Sequence, residues 1–147
     1  MALSREAIAA LIPHADSMCL LERVDSWNEG DIVCIATSHR DPSNPLRRGD
    51  ALPAISGLEY AAQAMAAHGA LCRGEQDKPM LGFLTSVRDL RVAAESLEGL
   101  SDLTIRASLL AGDELRVLYQ FTVSAGAEVV LAGRATVLLR CEAGSGG

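Results

Sequence analysis

Aromatic residues are scarce in this sequence: one Trp, two Tyr and two Phe among 147 residues. Any core must therefore be assembled from Leu, Val, Ile and Ala. Basic residues are in short supply too. Thirteen Lys and Arg against nineteen Asp and Glu leave a formal charge of −6. That argues against a nucleic-acid binder, whose affinity comes from neutralising phosphates with Lys and Arg. No apolar run approaches the roughly 18 residues that mark a membrane-spanning helix. The opening residues, MALSREAIAALIPH, carry a Glu and lack the basic segment and long apolar run of a secretory leader. A cytoplasmic protein with no membrane partner is expected. The four cysteines, Cys19, Cys34, Cys72 and Cys141, stand far apart and form no CxxC pair, so free thiols are expected. The histidines are equally scattered, and no metal site is expected.

What is present reads as one domain, residues 1–141, with a tail over 142–147 that has nothing to bury and is expected to be disordered. There is no internal repeat. Ser4 can cap a short helix over Arg5 to Leu11, which Pro13 ends. Met18 to Trp27 reads as a strand with Met18, Leu20 and Val24 on one face. Asn28-Glu29-Gly30-Asp31 is turn chemistry, and Ile32 to Thr37 reads as the returning strand of a hairpin. Residues 38–53, SHRDPSNPLRRGDALP, form a long polar loop with three prolines, and loops of that length inside a compact domain tend to be functional.

Ile55 to Cys72 is the clearest helix, rich in residues that favour one. Ile55, Leu58, Ala62, Met65, Gly69 and Cys72 follow helical spacing, and the segment is apolar around most of its circumference, so it should be buried. Gly74 and Pro79 lie beyond its end as stop signals. A strand over Leu81 to Val92 follows. Three alternating segments come next: Leu103, Ile105, Ala107, Leu109; then Leu115, Val117, Tyr119, Phe121, Val123; then Val129, Leu131, Gly133, Ala135, Val137, Leu139. Period-two alternation with short turns at Ala111-Gly112-Asp113 and Ser124-Ala125-Gly126 predicts an antiparallel sheet with one buried face. The expected fold class is α+β: a curved antiparallel sheet wrapped around one long central helix.

The local motifs carry a resemblance. LIPHADSMCLLERV resembles the "LPH…P…LLVDRV" opening of hotdog-fold 3-hydroxyacyl-ACP dehydratases. LPAISGLEYAAQAMA resembles their "PG…LEAMAQ" helix start, with Pro53, Glu59 and Gln63 matching in type and spacing. FLTSVRDLRV and LLAGDELRV resemble the later strands. The likeness runs from about Leu11 to Leu139. PH…M-LLE, NPLR and LEYAAQAMAAHG look closest to the ApeP-like branch, whose members accompany aryl-polyene and related fatty-acid-type biosynthesis. One departure matters. The dehydratases carry a catalytic His in a "GHFPG" motif, and the corresponding position here is Pro45, fourteen residues before Glu59.

Dehydrating a 3-hydroxyacyl thioester needs a base for the C2 proton, an acid for the departing C3 hydroxyl, and a donor to polarise the thioester carbonyl. The resemblance implies Glu59 as the catalytic carboxylate; the plainer alternative is a solvated Glu favoured by the helix dipole. Gln63, one turn on and on the same face, would orient Glu59 or bind substrate. Ala54 would take the place of the glycine whose N–H polarises the carbonyl. For the missing acid–base partner, His14 ranks first and His39 second, with a hydrogen-bonded loop residue as the plainer role. His68 lies half a turn out of phase with Glu59. Arg40, Arg47 and Arg48, with Arg88 and Arg91 as weaker candidates, would steer an acidic acyl carrier protein. No cofactor is implied beyond the phosphopantetheine that carries the substrate. A hotdog thioesterase and a non-catalytic hotdog subunit are the competing readings. The open sheet edge implies a homodimer, or a heterodimer with another hotdog subunit.

Overall fold

The computed structural model describes residues 2–12, 19–73, 80–113 and 115–141, and only the backbone of 80–83, 140 and 141. Expectations placed on Pro13, His14, Met18, Gly74, Pro79 and the tail fall outside the described residues.

In chain order the elements are β1 (Leu3–Ser4), α1 (Arg5–Leu11), β2 (Arg23–Trp27), β3 (Asp31–Ala36), α2 (Gly57–Arg73), β4 (Met80–Val92), β5 (Leu103–Gly112), β6 (Arg116–Ala125) and β7 (Glu128–Cys141). Short 3-10 turns occupy Ser38–Arg40 and Ala54–Ser56, the second running directly into α2. Among the described residues the strands form one antiparallel sheet in the order β1-β2-β3-β5-β6-β7-β4. The strand leaving α2 thus crosses to the far edge and pairs with β7, not with the next strand in sequence.

The sheet curls around α2. Leu103, Ile105 and Ala107 of β5, Tyr119, Phe121 and Val123 of β6, and Leu131, Ala135 and Val137 of β7 are buried against it, as the alternation predicts. Three residues expected inside are exposed instead. Leu115 precedes β6 in the turn, its N–H held by Asp113 Oδ1 at 2.8 Å. Val129 lies beside a bulge between Val123 and Ser124 that moves Val130 into the core in its place. Leu109 adjoins a second bulge, at the end of the β5–β6 ladder.

The buried face of α2 also differs from the predicted stripe. Gly57, Tyr60, Ala61, Gln63, Ala64, Met65, Ala67 and His68 are buried, and only Met65 belongs to both sets. Small residues let the helix sit close to the sheet: a Cβ on Gly57 would stand 3.0 Å from Leu131 Cδ2. The predicted stripe ran along another side of the helix, where Ile55 is 49% exposed.

The strand expected over Met18 to Trp27 begins only at Arg23. The Glu22 N–H still reaches the Ile35 carbonyl at 2.8 Å, but at Leu20 side chains replace the ladder. Gln63 Oε1 accepts the Leu20 N–H at 2.8 Å, and the Ser38 hydroxyl donates to the Leu20 carbonyl at 2.7 Å. A buried backbone must be paired, but its partners need not be a strand.

Candidate functional site

Glu59 lies in the first turn of α2 and is half-buried. On the same side, Ile55 is exposed and Leu58, Ala62 and Ala66 are half-buried, so the carboxylate stands in a partly open apolar strip. Among the described residues no hydrogen bond or ion pair engages it; the ion pairs found there are Arg23–Asp25 and Arg40–Asp102.

The backbone at the helix start is arranged differently from expectation. The Ala54 N–H, implied as the carbonyl-polarising donor, is already donated to the Glu95 carbonyl at 3.0 Å, and Ser56 N–H is donated to Pro53 O at 2.9 Å. Between them, the Ile55 N–H has no partner among the described residues. Helix starts leave such orphan donors, and this one lies one turn from Glu59.

The loop before α2 is pinned by a polar network that sequence reasoning missed. Tyr60 is fully buried beside Glu59 in the chain. Because the Ser38 hydroxyl donates to Leu20 O, the Tyr60 hydroxyl donates to Ser38 Oγ, at 2.8 Å. It accepts from Asn44 Nδ2 at 3.0 Å. Burial pushes the Tyr60 phenol above its usual pKa, with its bonds to Ser38 and Asn44 opposing, so it stays neutral and can donate. Asn44 also donates to Ser38 O and accepts from Leu46 N–H. The far end of the loop is held by Glu98, which accepts from Leu52 N–H at 2.8 Å and from the Ser96 hydroxyl at 3.0 Å. The available signal was a Tyr next to the candidate carboxylate and an amide in a long loop.

The predicted partners of Glu59 separate. Gln63 is buried and its carbonyl is committed to Leu20. His39 is fully buried, with Nε2 donating to the carbonyls of Leu100 (2.9 Å) and Ser101 (3.0 Å). Burial holds its pKa below the ordinary histidine value, with the carbonyl bonds partly opposing, so it braces the loop as a neutral ring. His68 faces away from Glu59, as the half-turn phase predicts. Its Nε2 donates to Asn28 O at 2.8 Å and its Nδ1 accepts from the Tyr119 hydroxyl at 2.6 Å. Its ring also meets the Tyr119 ring edge to face. Pro45 is exposed. His14 lies outside the described residues.

Two of the three loop arginines are engaged internally. Arg40 pairs with Asp102 at 2.6 Å. Arg47 is half-buried and donates to Asp50 O and His39 O. Arg48 is exposed. Cys19 and Cys34 are buried free thiols, and burial pushes Cys34 up to about 12, which keeps it inert. No group of His, Cys, Asp and Glu among the described residues can hold a metal ion. No helix among them is long and apolar enough to cross a membrane.

A long helix wrapped by an antiparallel sheet, with a carboxylate in its first turn, defines a hotdog-fold protein of the dehydratase and thioesterase kind. Over residues 6–143 the sequence matches the model of the ApeP-like dehydratase family, and the chain belongs to that family. A chain of the ApeI:P dehydratase heterocomplex from Xenorhabdus doucetiae superposes with a TM-score of 0.82 at 27% identity, covering 92% of both chains. Thioesterases from Pseudomonas aeruginosa (TM-score 0.68, 11% identity, 95% of both chains) and Haemophilus influenzae (TM-score 0.66, 13% identity, 95% of this chain and 92% of that one) share the fold. A comparison with curated protein sequences found no match.

Proposed function

We propose that this chain is one subunit of a two-chain hotdog dehydratase of aryl-polyene-type biosynthesis. It acts on 3-hydroxyacyl thioesters carried on the phosphopantetheine of an acyl carrier protein. The observation that carries this reading is Glu59: a half-buried carboxylate in an apolar strip, with no partner among the described residues. In this reading Glu59 exchanges a proton with the substrate while the open Ile55 N–H polarises the thioester carbonyl. Loss of the C2 proton and of the C3 hydroxyl, protonated as it leaves, gives a 2-enoyl thioester and water.

The second acid–base group comes from the partner chain. Among the described residues neither His39 nor His68 is placed to serve, His14 lies outside them, and Pro45 stands where the family carries its histidine. The 13-residue edge strand β4 has one side unpaired among the described residues, which suits pairing with a second hotdog sheet. The similarity to a chain of a dehydratase heterocomplex supports the same arrangement.

The test is to incubate 3-hydroxyacyl-carrier protein with this chain, with a second hotdog subunit, and with both, and to follow loss of water by mass. Product with both chains and little with either alone is the expected result. Full activity of this chain alone removes the need for a partner histidine. Unchanged activity of the complex carrying Glu59→Gln makes this a non-catalytic subunit, a second reading favoured by the commitment of His39 to the loop. Release of free thiol in place of an enoyl product would indicate a thioesterase.

A further inference from the structure

The outer face of the sheet carries positive charge that the site does not use. Arg88 on β4 is the direct cross-strand partner of Arg134 on β7. Arg134 faces Gln120 on β6, which faces Ser108 on β5. In the adjacent row, Arg91 on β4 faces Ala132, which faces Thr122, which faces Arg106 on β5. All four arginines are exposed, and none has an ion pair among the described residues. Rows two residues apart are about 7 Å apart, and strands about 5 Å. Arg88, Arg134 and Arg91 therefore form a compact cluster, with Arg106 roughly 14 Å across the sheet from Arg91. The carboxylate in the first row is Asp31 of β3, three strands from Arg134 and bonded to the Ser108 hydroxyl. The exposed Asp89, in the chain between Arg88 and Arg91, adds one carboxylate; on a chain of charge −6, four arginines against it still leave a net positive surface.

Backbone irregularity builds it. Residues three apart on a regular strand face opposite sides, so Arg88 and Arg91 should not share a face. Between them β4 has a register shift, three residues spanning the two from Arg134 to Ala132. Asp89 there adopts φ 54°, the left-handed region, as the only non-glycine residue to do so among those described. Bulges of this kind re-aim side chains. The bulge packs on Gly133, where a Cβ would stand 3.3 Å from the Arg88 carbonyl oxygen. Like charges directly opposite destabilise a sheet, so Arg88 facing Arg134 opposes the fold's own stability.

We infer that this outer face, and not the arginine loop before α2, is the docking surface for a carboxylate-rich protein. Charge complementarity selects such a partner, and the flat spacing of the guanidiniums fits a row of carboxylates on an acidic helix. Resting on the function proposed above, that partner is the acyl carrier. Within the loop, Arg40 and Arg47 are already engaged, and Arg48 stands alone.

The test is a binding titration with purified holo-acyl carrier protein at low salt, which needs no turnover. Its outcome is therefore separate from that of the dehydration assay. Saturable, salt-sensitive binding is expected. Arg88→Ala/Arg91→Ala/Arg134→Ala should raise Kd about tenfold or more, Arg88→Lys/Arg134→Lys should retain most of the affinity, and Arg48→Glu should change it less than about twofold. Arg88→Glu should weaken binding while raising the melting temperature, because it places a carboxylate opposite Arg134. A merely structural arginine would move both the same way. The proposal is overturned if the wild type does not bind, if the triple variant binds normally, if Arg48→Glu loses as much, or if duplex DNA or a second copy of this chain binds the face more tightly than the carrier.

Discussion

The two ends of α2 treat their titratable side chains in opposite ways. Near the start, Glu59 is half-buried among apolar neighbours and has no partner among the described residues. Near the end, His68 is 1% exposed and both ring nitrogens are bonded, one to Tyr119 and one to Asn28. The fold takes up both nitrogens of His68, so of these two side chains only Glu59 keeps its bonding capacity for a substrate. Histidine is the commoner acid–base residue in enzymes, yet in this helix it is committed to structure.

Glu59→Gln tests the open end and should have the largest effect. It keeps the shape and removes the proton exchange. Turnover by the assembled complex should fall at least about 100-fold, while stability to denaturant should change by no more than about 0.5 kcal/mol. Retained turnover would leave the open carboxylate without a chemical role. A large loss of stability would show that the fold needs it, and the contrast between the two ends would collapse.

His68→Ala tests the saturated end. It deletes a buried ring and strands the Tyr119 hydroxyl and the Asn28 carbonyl, which should cost roughly 2–4 kcal/mol, read from urea unfolding. The folded fraction should keep its turnover. A variant of normal stability but impaired turnover would put His68 in the reaction and reverse the assignment.

This contrast explains what the sequence could disclose. The layered fold was legible because period-two alternation in β5, β6 and β7 and the helix-favouring run of α2 are local signals. The place of Glu59 in the first turn of α2 was legible from the helix start around it, and its opposition to His68 from simple helical phase. The buried face of α2 was not, because the helix is apolar around most of its circumference and spacing alone does not single out the side on which Gly57, Tyr60, Ala61, Ala64 and Ala67 pack. The engagement of the Ala54 N–H was not legible, because its acceptor, the Glu95 carbonyl, lies about forty positions away in sequence. The same holds for Gln63 and His39: their types suggested chemistry, and distant backbone groups at Leu20, Leu100 and Ser101 claim them.

Gln63→Leu sharpens the middle of the helix, between open and saturated ends. The volume is nearly kept, but the buried Leu20 N–H loses its acceptor, which should cost about 1–3 kcal/mol. Hydrogen exchange should report the loss first at residues 19–22, ahead of the sheet. If stability is unchanged and only substrate affinity falls, Gln63 belongs to the open end after all.

The smallest effect is a pH dependence. His39 is buried as a neutral ring: Nε2 donates to two carbonyls, and Nδ1 has no partner among the described residues. A proton added to Nδ1 would find no acceptor, which agrees in direction with a folded pKa held below the ordinary value of 6.5 by burial. Between the folded and unfolded values the unfolded chain binds more protons, so stability rises with pH there. This contribution is complete above about pH 6.5 and is lost as the pH falls from there through the folded value. One proton limits the slope to about 1.4 kcal/mol per pH unit. His39→Gln can still donate to the carbonyls and cannot titrate, so the stability difference between wild type and variant should shrink or reverse in the variant's favour as the pH drops from 7.5 to 5.5. A difference that stays constant across that range would mean His39 is protonated alike in the folded and unfolded chains, and would return it to the set of candidate acids.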